Sequence, residues 1–279
     1  MNLTKNNKII LITGCSSGIG LHCATQLKKA GYRIFATARK QCDVDKLLND
    51  GFESVKLDLS QSESIQTALS YILKKTNNQI DVLFNNGAYG QPGATEDLTR
   101  EVMREQFETN LFGTMELTNS IIPIMRKQGC GKIIHNSSVL GIISLPFRGA
   151  YNASKYALEG FADTQRLELY GSGISISLIE PGPILSQFRA NAFLNFIKNI
   201  DKENSYFKAQ YKKMEQHFSK KGAAVPFTLP AEAVYKKLLH AIETKKPKAR
   251  YYVTFPTYLF GYLKRILSTK AMDWVLRKI

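Results

Sequence analysis

The chain reads as an α/β protein: a doubly wound parallel sheet in a three-layer α/β/α sandwich, with a helical lid and a C-terminal helical extension. Two observations predict the sandwich. Short apolar runs alternate with helical patterns through residues 8–181. A glycine-rich turn follows the first apolar run directly and opens the first helix, the order of a nucleotide-binding strand–turn–helix unit. The lid and extension follow from a third observation, the loss of that rhythm after Pro183.

Six runs have the continuous apolar character of strands buried on both faces. They are KIILIT (8–13), RIFATA (33–38), SVKLD (54–58), DVLFNN (81–86), GKIIHNS (131–137) and ISISLIEP (174–181). Helices are expected between them at 18–30, 43–50, 62–75, 99–127 and 151–171. Ser60 with Glu63 has capping-box spacing ahead of the third helix. Residues 184–226 read as a helical insert rich in aromatics and lysines, placed as a substrate lid. A helix at 230–244, a strand near 250–254 and an amphipathic extension over 255–279 complete the chain. In the extension Met272, Val275, Leu276 and Ile279 fall at i, i+3, i+4 and i+7. No repeat or low-complexity linker interrupts residues 1–279, so a single Rossmann-type domain is expected.

Composition narrows the function. With 44% hydrophobic residues the chain can bury a sizeable core. Its four cysteines include no CxxC or Cys/His cluster, so no metal site is expected and a reduced, cytoplasmic compartment is. The N-terminal apolar run is too short for a signal peptide. No stretch approaches the roughly 18–20 apolar residues that span a bilayer. The net charge of +15 suits a phosphorylated ligand or an anionic membrane surface, or else a lysine-rich solvated exterior. Without zinc-finger spacing, an RNP-like signature or an arginine-rich arm, no nucleic-acid partner is expected.

Two Tyr-x-x-x-Lys pairs occur, Tyr71/Lys75 and Tyr151/Lys155. Four residues is about one helical turn, so spacing alone makes neither catalytic. The glycine turn TGCSSGIG (13–20) separates them. Gly14, Gly18 and Gly20 permit a tight turn and close approach of backbone amides to a pyrophosphate at a helix N-terminus. Their GxxxGxG spacing resembles the short-chain dehydrogenase/reductase family, and the resemblance runs in order over about residues 8–190. It takes in Asp58 of LDLS, Asn85 and Asn86 of LFNNGAYG, Asn110 of FETNLFG, and Ser138 thirteen residues before Tyr151. YNASK and EPGPI (180–184) complete it, whereas Tyr71 and Lys75 have no such company.

The resemblance implies an enzyme that transfers hydride between a nicotinamide dinucleotide and a carbonyl or alcohol. Cofactor contacts are then expected from Gly14, Ser16, Ser17, Gly18, Ile19 and Gly20, with Asp58 and Leu59 at the adenine. Asn86 and Gly87 would line the strand end, and Pro181, Gly182 and Ile184 the nicotinamide loop. By the same resemblance Tyr151 is the acid/base, Ser138 holds the substrate oxygen, Lys155 also grips the ribose, and Asn110 anchors a relay water. The residue types suit those roles. A phenol of pKa near ~10 is a poor base unless a nearby ammonium favours phenolate, and a hydroxyl is an oxyanion-type donor. The second strand ends in Ala38-Arg39 with no carboxylate for a ribose hydroxyl. Arg39 suits a 2′-phosphate, so NADP(H) is expected over NAD(H). Two departures, Gly87-Ala88 in exchanged order and Ser186 for a common threonine, leave the catalytic set intact.

LPFRGAYNASKYALEG and the long extension resemble the hydroxysteroid/retinol dehydrogenase branch and its bacterial relatives. This implies an apolar carbonyl or alcohol substrate such as a steroid, retinoid or lipid aldehyde. A 3-oxoacyl or other lipid-intermediate reductase is the enzymatic alternative. A non-catalytic NADP-sensing protein is the other, disfavoured by the intact Ser138, Tyr151 and Lys155. A homodimer or homotetramer is expected. The basic tail suits either peripheral contact with an anionic bilayer or packing on the lid or a second subunit.

Overall fold

In the computed structural model, which describes residues 8–218 and 225–278, seven strands form one parallel sheet. These are β1 (Ile9–Ile12), β2 (Arg33–Ala38), β3 (Glu53–Lys56), β4 (Val82–Asn85), β5 (Gly131–Asn136), β6 (Ile174–Glu180) and β7 (Arg250–Tyr252). Their order is β3-β2-β1-β4-β5-β6-β7. All adjacent pairs are parallel, as crossover helices require. The order reverses between β1 and β4, which opens a crevice at their C-terminal ends.

Alternating residues of each strand feed two separate cores. Ile10 and Ile12 join one with α1 (Gly18–Lys29), α2 (Gln41–Asn49) and α9 (Glu232–Glu243). Ile9 and Leu11 join the other with α3 (Ser62–Lys75), α5 (Gly113–Gln128) and α6 (Gly149–Glu168). This two-sided burial accounts for the continuous apolar strands. Most expected elements agree with the structure to within a few residues, and the departures have local causes.

The helix expected over 99–127 is divided. α4 (Arg100–Phe107) passes into a π-helical turn, Glu108–Phe112, before α5 begins. Such widened turns admit one extra residue and often mark functional positions. The capping box is not made. Gln61 precedes α3, and the Ser60 hydroxyl donates to Asp58 Oδ1 at 2.8 Å. The third strand stops at Lys56, and the Asp58 amide turns to Ser64 Oγ at 2.9 Å.

The insert holds α7 (Phe188–Asn199) and α8 (Lys208–Phe218). Phe196 and Tyr211 fill a small core of its own, with Phe193 and Phe207 against it. The tail is two helices, α10 (Phe255–Ile266) and α11 (Thr269–Leu276), broken where Ser268 caps the second through its hydroxyl. Met272, Val275 and Leu276 do share a face, which packs on residues 139–143 and on α10 instead of on the lid helices. Ile279, the last position of that pattern, and residues 1–7 and 219–224 of the sequence reading lie outside the described residues.

Candidate active site

Local backbone demands shape the crevice above β1 and β4. Gly14 (φ +69°) and Gly18 (φ +58°) occupy left-handed conformations open to glycine. Gly20 is required for another reason: a Cβ there would lie 2.2 Å from the Gly14 carbonyl oxygen. Ser17 precedes α1 without capping it through its side chain, and the first turn of α1 holds no acidic residue. The leading amides of α1 and its positive dipole end therefore face the crevice. That donor set fits a pyrophosphate.

The turn is tied to the neighbouring strand end by Asn86. Its Nδ2 donates to the carbonyls of Thr13 (2.9 Å) and Gly14 (3.1 Å), and its amide donates to Thr13 Oγ1 at 2.9 Å. Gly87 donates to the same hydroxyl at 2.8 Å. A Cβ on Gly87 would meet Leu59 Cδ1 at 2.9 Å, so the exchanged small residues do not open the wall.

Ser138, Tyr151 and Lys155 converge on the floor. Each is buried, and all three line one cleft of about 470 Å³ that also reaches Gly14, Ser16, Ser17, Gly18, Ile19, Asn86 and Gly87. Pro181, Gly182 and Ile184 line its far wall. The Ser138 hydroxyl lies beside the Tyr151 phenol and lowers it, and it accepts from the Leu140 amide at 3.1 Å. Lys155 Nζ lies 5.7 Å from the Tyr151 ring centroid and donates to the Asn136 carbonyl at 2.7 Å. Phe188 of α7 packs edge-on to Tyr151 with centroids 5.3 Å apart, so the insert reaches the floor of the cleft.

Burial dominates both titrating groups. It pushes the Tyr151 phenol up to about 12 against a lowering from Ser138. It pulls the Lys155 ammonium down to about 8, with Glu159 opposing. Burial thus holds the proton on the phenol, against which the lowering expected from Lys155 together with an oxidised nicotinamide would act.

Asn110 sits on the π-turn, one layer back. Its Oδ1 accepts from the Tyr89 amide at 3.0 Å, and its Nδ2 donates to the Tyr89 carbonyl (2.9 Å) and Ser154 Oγ (3.2 Å). It is bound to the helix that carries Tyr151 and Lys155 and does not line the cleft. Arg39 is exposed at the end of β2, where the strand delivers it. Arg39, Asp58 and Leu59 stand outside the cleft lining proper, around the β1–β3 end of the same edge.

Asn136 was not anticipated. It joins Asn86 (Nδ2 to Oδ1, 2.9 Å) to Lys155 through its carbonyl, and so couples the glycine turn to the floor of the cleft. A polar residue ending a buried strand, beside Asn86 on the next strand, is the signal that could have found it. Glu159, Glu180 and Arg250 were also missed. The Arg250 guanidinium lies 3.1 Å from Glu159 Oε2, 2.8 Å from Asp163 Oδ2 and 3.1 Å from Glu180 Oε1, behind Ser137 and Lys155.

Residues 8–195 match the family model for short chain dehydrogenases. The chain is 42% identical over 270 residues to the uncharacterized oxidoreductase YbbO of Escherichia coli, covering 97% of this chain and 94% of that one. It is 30% identical over 261 residues to human 17-beta-hydroxysteroid dehydrogenase type 1, covering 88% and 77%. A short-chain dehydrogenase from Streptomyces avermitilis superposes with a TM-score of 0.78 at 26% identity, over 98% of this chain and 97% of that one. With its parallel sheet, its glycine turn at the switch point and the matched residues 8–195, the chain is an oxidoreductase of the short-chain dehydrogenase/reductase family.

Proposed function

We propose that the protein is an NADP(H)-dependent oxidoreductase that interconverts a ketone or aldehyde and an alcohol on an apolar small molecule. The observation that carries this reading is the convergence of the Ser138 hydroxyl, the Tyr151 phenol and the Lys155 ammonium at one end of a cleft whose other end is the glycine turn. When bound, the nicotinamide dinucleotide supplies or accepts the hydride.

The chain's own groups handle the oxygen. Ser138 donates to the substrate oxygen as negative charge develops there. Tyr151 transfers its phenolic proton to that oxygen during reduction and takes it back during oxidation. Burial keeps the phenol protonated, so Tyr151 holds the proton that reduction consumes. Lys155, fixed by Asn136, places positive charge beside the phenolate that reduction leaves. Asn110 acts through the helix, holding the Tyr89 and Ser154 segments together. Arg39, exposed where a ribose-binding carboxylate is absent, supports the choice of NADP(H). The apolar substrate is supported by Val139, Leu140, Leu145, Leu185 and Phe188 around the catalytic floor.

The test is an NADPH-consumption screen over steroids, retinal, long-chain aldehydes and 3-oxoacyl thioesters, run with the full chain and with Tyr151→Phe. Turnover of an apolar carbonyl that falls by about 10²–10⁴ in Tyr151→Phe, while NADPH still quenches or enhances fluorescence on binding, is the expected result. Turnover confined to thioesters would replace the substrate class. NADPH binding with no turnover on any carbonyl would return the chain to a sensing role.

A further inference from the structure

Helix α10 presents two apolar faces, although only one is covered. Phe260 and Gly261 are buried inward with Thr257, and Gly261 is packed so closely that a Cβ would meet the Tyr252 ring at 2.5 Å. The outward face carries Phe255, Tyr258, Leu259, Tyr262 and Ile266, all exposed. At 100° per residue these five fall within an arc of about 100°. Ile266 is 78% exposed, Tyr262 58% and Phe255 57%. A surface helix ordinarily places polar residues there, and a contiguous apolar stripe marks an interaction site.

The surroundings identify the occupant. Over residues 255–279 the sequence has Lys264, Arg265, Lys270, Arg277 and Lys278 against the single acid Asp273. Trp274, exposed in α11, carries Lys278 Nζ 3.6 Å from its ring centroid. Apolar and aromatic side chains on a tail of net positive charge, with Arg265 next to the stripe, suit a bilayer, whose acyl boundary takes the former and whose anionic headgroups take the latter.

The stripe also leads to the cleft. Phe255, its first residue, stacks at 4.9 Å on Phe227, and Val225 and Thr228 on either side of Phe227 line the catalytic cleft. Gly182, on the cleft wall, packs on Thr254 and Thr257 at the start of α10. A body seated on α10 would therefore lie at the cleft rim.

We propose that the outward face of α10 docks on an anionic lipid bilayer, peripherally, with the catalytic cleft opening beside the acyl boundary. The sequence suggested such contact through the basic tail, with Tyr258, Phe260, Tyr262 and Trp274 interleaved and an amphipathic face of Met272, Val275 and Leu276. That face is spent on residues 139–143, and the role passes to α10. Among the described residues no helix is long and apolar enough to cross a membrane, so the contact is one of surface seating.

The proposal is tested by co-sedimentation of the full chain with vesicles of phosphatidylcholine alone and of phosphatidylcholine with phosphatidylglycerol, at low and at 0.5 M salt. Wild type is expected to sediment with the anionic vesicles and to be partly released by salt. Tyr262→Glu/Ile266→Glu should lower the bound fraction at least about tenfold. Leu48→Glu, at an exposed apolar position on α2, should leave it unchanged, with circular dichroism melts confirming that every variant folds. Equal binding by the double variant, or no binding by wild type, overturns the proposal. So does a wild type that ignores vesicles but is dimeric where the double variant is monomeric, since a second copy then covers the stripe.

Discussion

Arg250 Nε lies 3.1 Å from Glu180 Oε1, a carboxylate with no solvent exposure on the last residue of β6. The same guanidinium holds Glu159 of the catalytic helix and Asp163 one turn further. Glu180 is followed directly by the Pro181-Gly182 wall of the cleft, and Glu159 lies one turn beyond Lys155. One side chain from β7 thus fixes the helix that carries Tyr151 and Lys155 and the strand that leads to the Pro181-Gly182 wall.

Three carboxyl groups around one guanidinium cannot all ionise in the interior. Burial, and then the facing Glu159, push the Glu180 carboxyl far above its ordinary value of 4.5. Glu159 Oε1 and Glu180 Oε2 have no hydrogen-bond donor, which a proton shared between the two carboxyls supplies. The folded state then keeps a proton that the unfolded chain has lost above its ordinary carboxylate range. Stability on this account is full at low pH and falls as pH rises toward and through the folded value. In urea titrations Glu180→Gln should flatten that fall and be nearly neutral at pH 7. Arg250→Met should cost about 3–5 kcal/mol, because it leaves buried carboxyls without their cation. Equal costs for the two variants would refute the shared proton.

Lys155 gives a slope of opposite sign. Its ammonium falls from 10.5 to about 8 on burial, so between those values the unfolded chain binds more protons than the folded one. Stability should therefore rise with pH across about 8 to 10.5. Lys132, half-buried and also lowered to about 8 by burial, contributes in the same direction. Only the difference between wild type and Lys155→Met isolates the catalytic lysine. That variant should lack part of the rise while losing turnover by about 10²–10⁴. Its alcohol-oxidation limb should begin at higher pH, where the phenol ionises without help. An unchanged oxidation profile would separate Lys155 from the phenol.

Arg39 decides cofactor choice in the proposed reading. A charge-assisted hydrogen bond to a 2′-phosphate contributes about 1.5–3 kcal/mol, or roughly 10–150-fold. Arg39→Asp is expected to lower kcat/KM with NADPH by that factor and to raise it with NADH. The residue is exposed and off the catalytic floor, so thermal stability should not move. An unaltered NADPH/NADH ratio would place the selectivity elsewhere.

The sequence made the strands and the clustering of Ser138, Tyr151 and Lys155 legible because both are written in residue types at fixed spacing. A buried parallel strand must be apolar on both faces, and Tyr151, Lys155 and Ser138 need particular functional groups. What it hid depends on chain segments far apart. Glu159, Glu180 and Arg250 acquire meaning only when β6 and β7 meet, and each alone resembles a surface charge. The π-turn at Glu108–Phe112 is a shift in hydrogen-bond register that no side-chain period records. The tail's two helices were read as one amphipathic segment because Leu267 and Ser268 carry no strong breaker. The apolar face recognised by its period is the one that packs on the protein, whereas Tyr258 and Tyr262 were read only as aromatics among basic residues and not as one exposed face of α10.

Gly113 shows how backbone contact alone can hold the cofactor edge. It opens α5 immediately after the π-turn, and a Cβ there would lie 1.7 Å from the Leu59 carbonyl oxygen and 2.6 Å from its carbon. Main chain cannot step aside as a flexible side chain would. In Gly113→Ala either the Asp58–Leu59 segment or the start of α5 must shift, at a cost of about 3 kcal/mol. The expected adenine contacts move with it, so NADPH affinity should weaken several-fold in the protein that remains folded. Gly129→Ala gives the comparison. Gly129 ends α5 in a left-handed conformation (φ +70°) with nothing near its missing Cβ. Only backbone strain of about 1 kcal/mol is expected there, with NADPH affinity unchanged. Urea titration and NADPH binding on both variants separate steric contact from conformational strain. Equal losses of stability and affinity would remove Gly113 from any role at the cofactor edge.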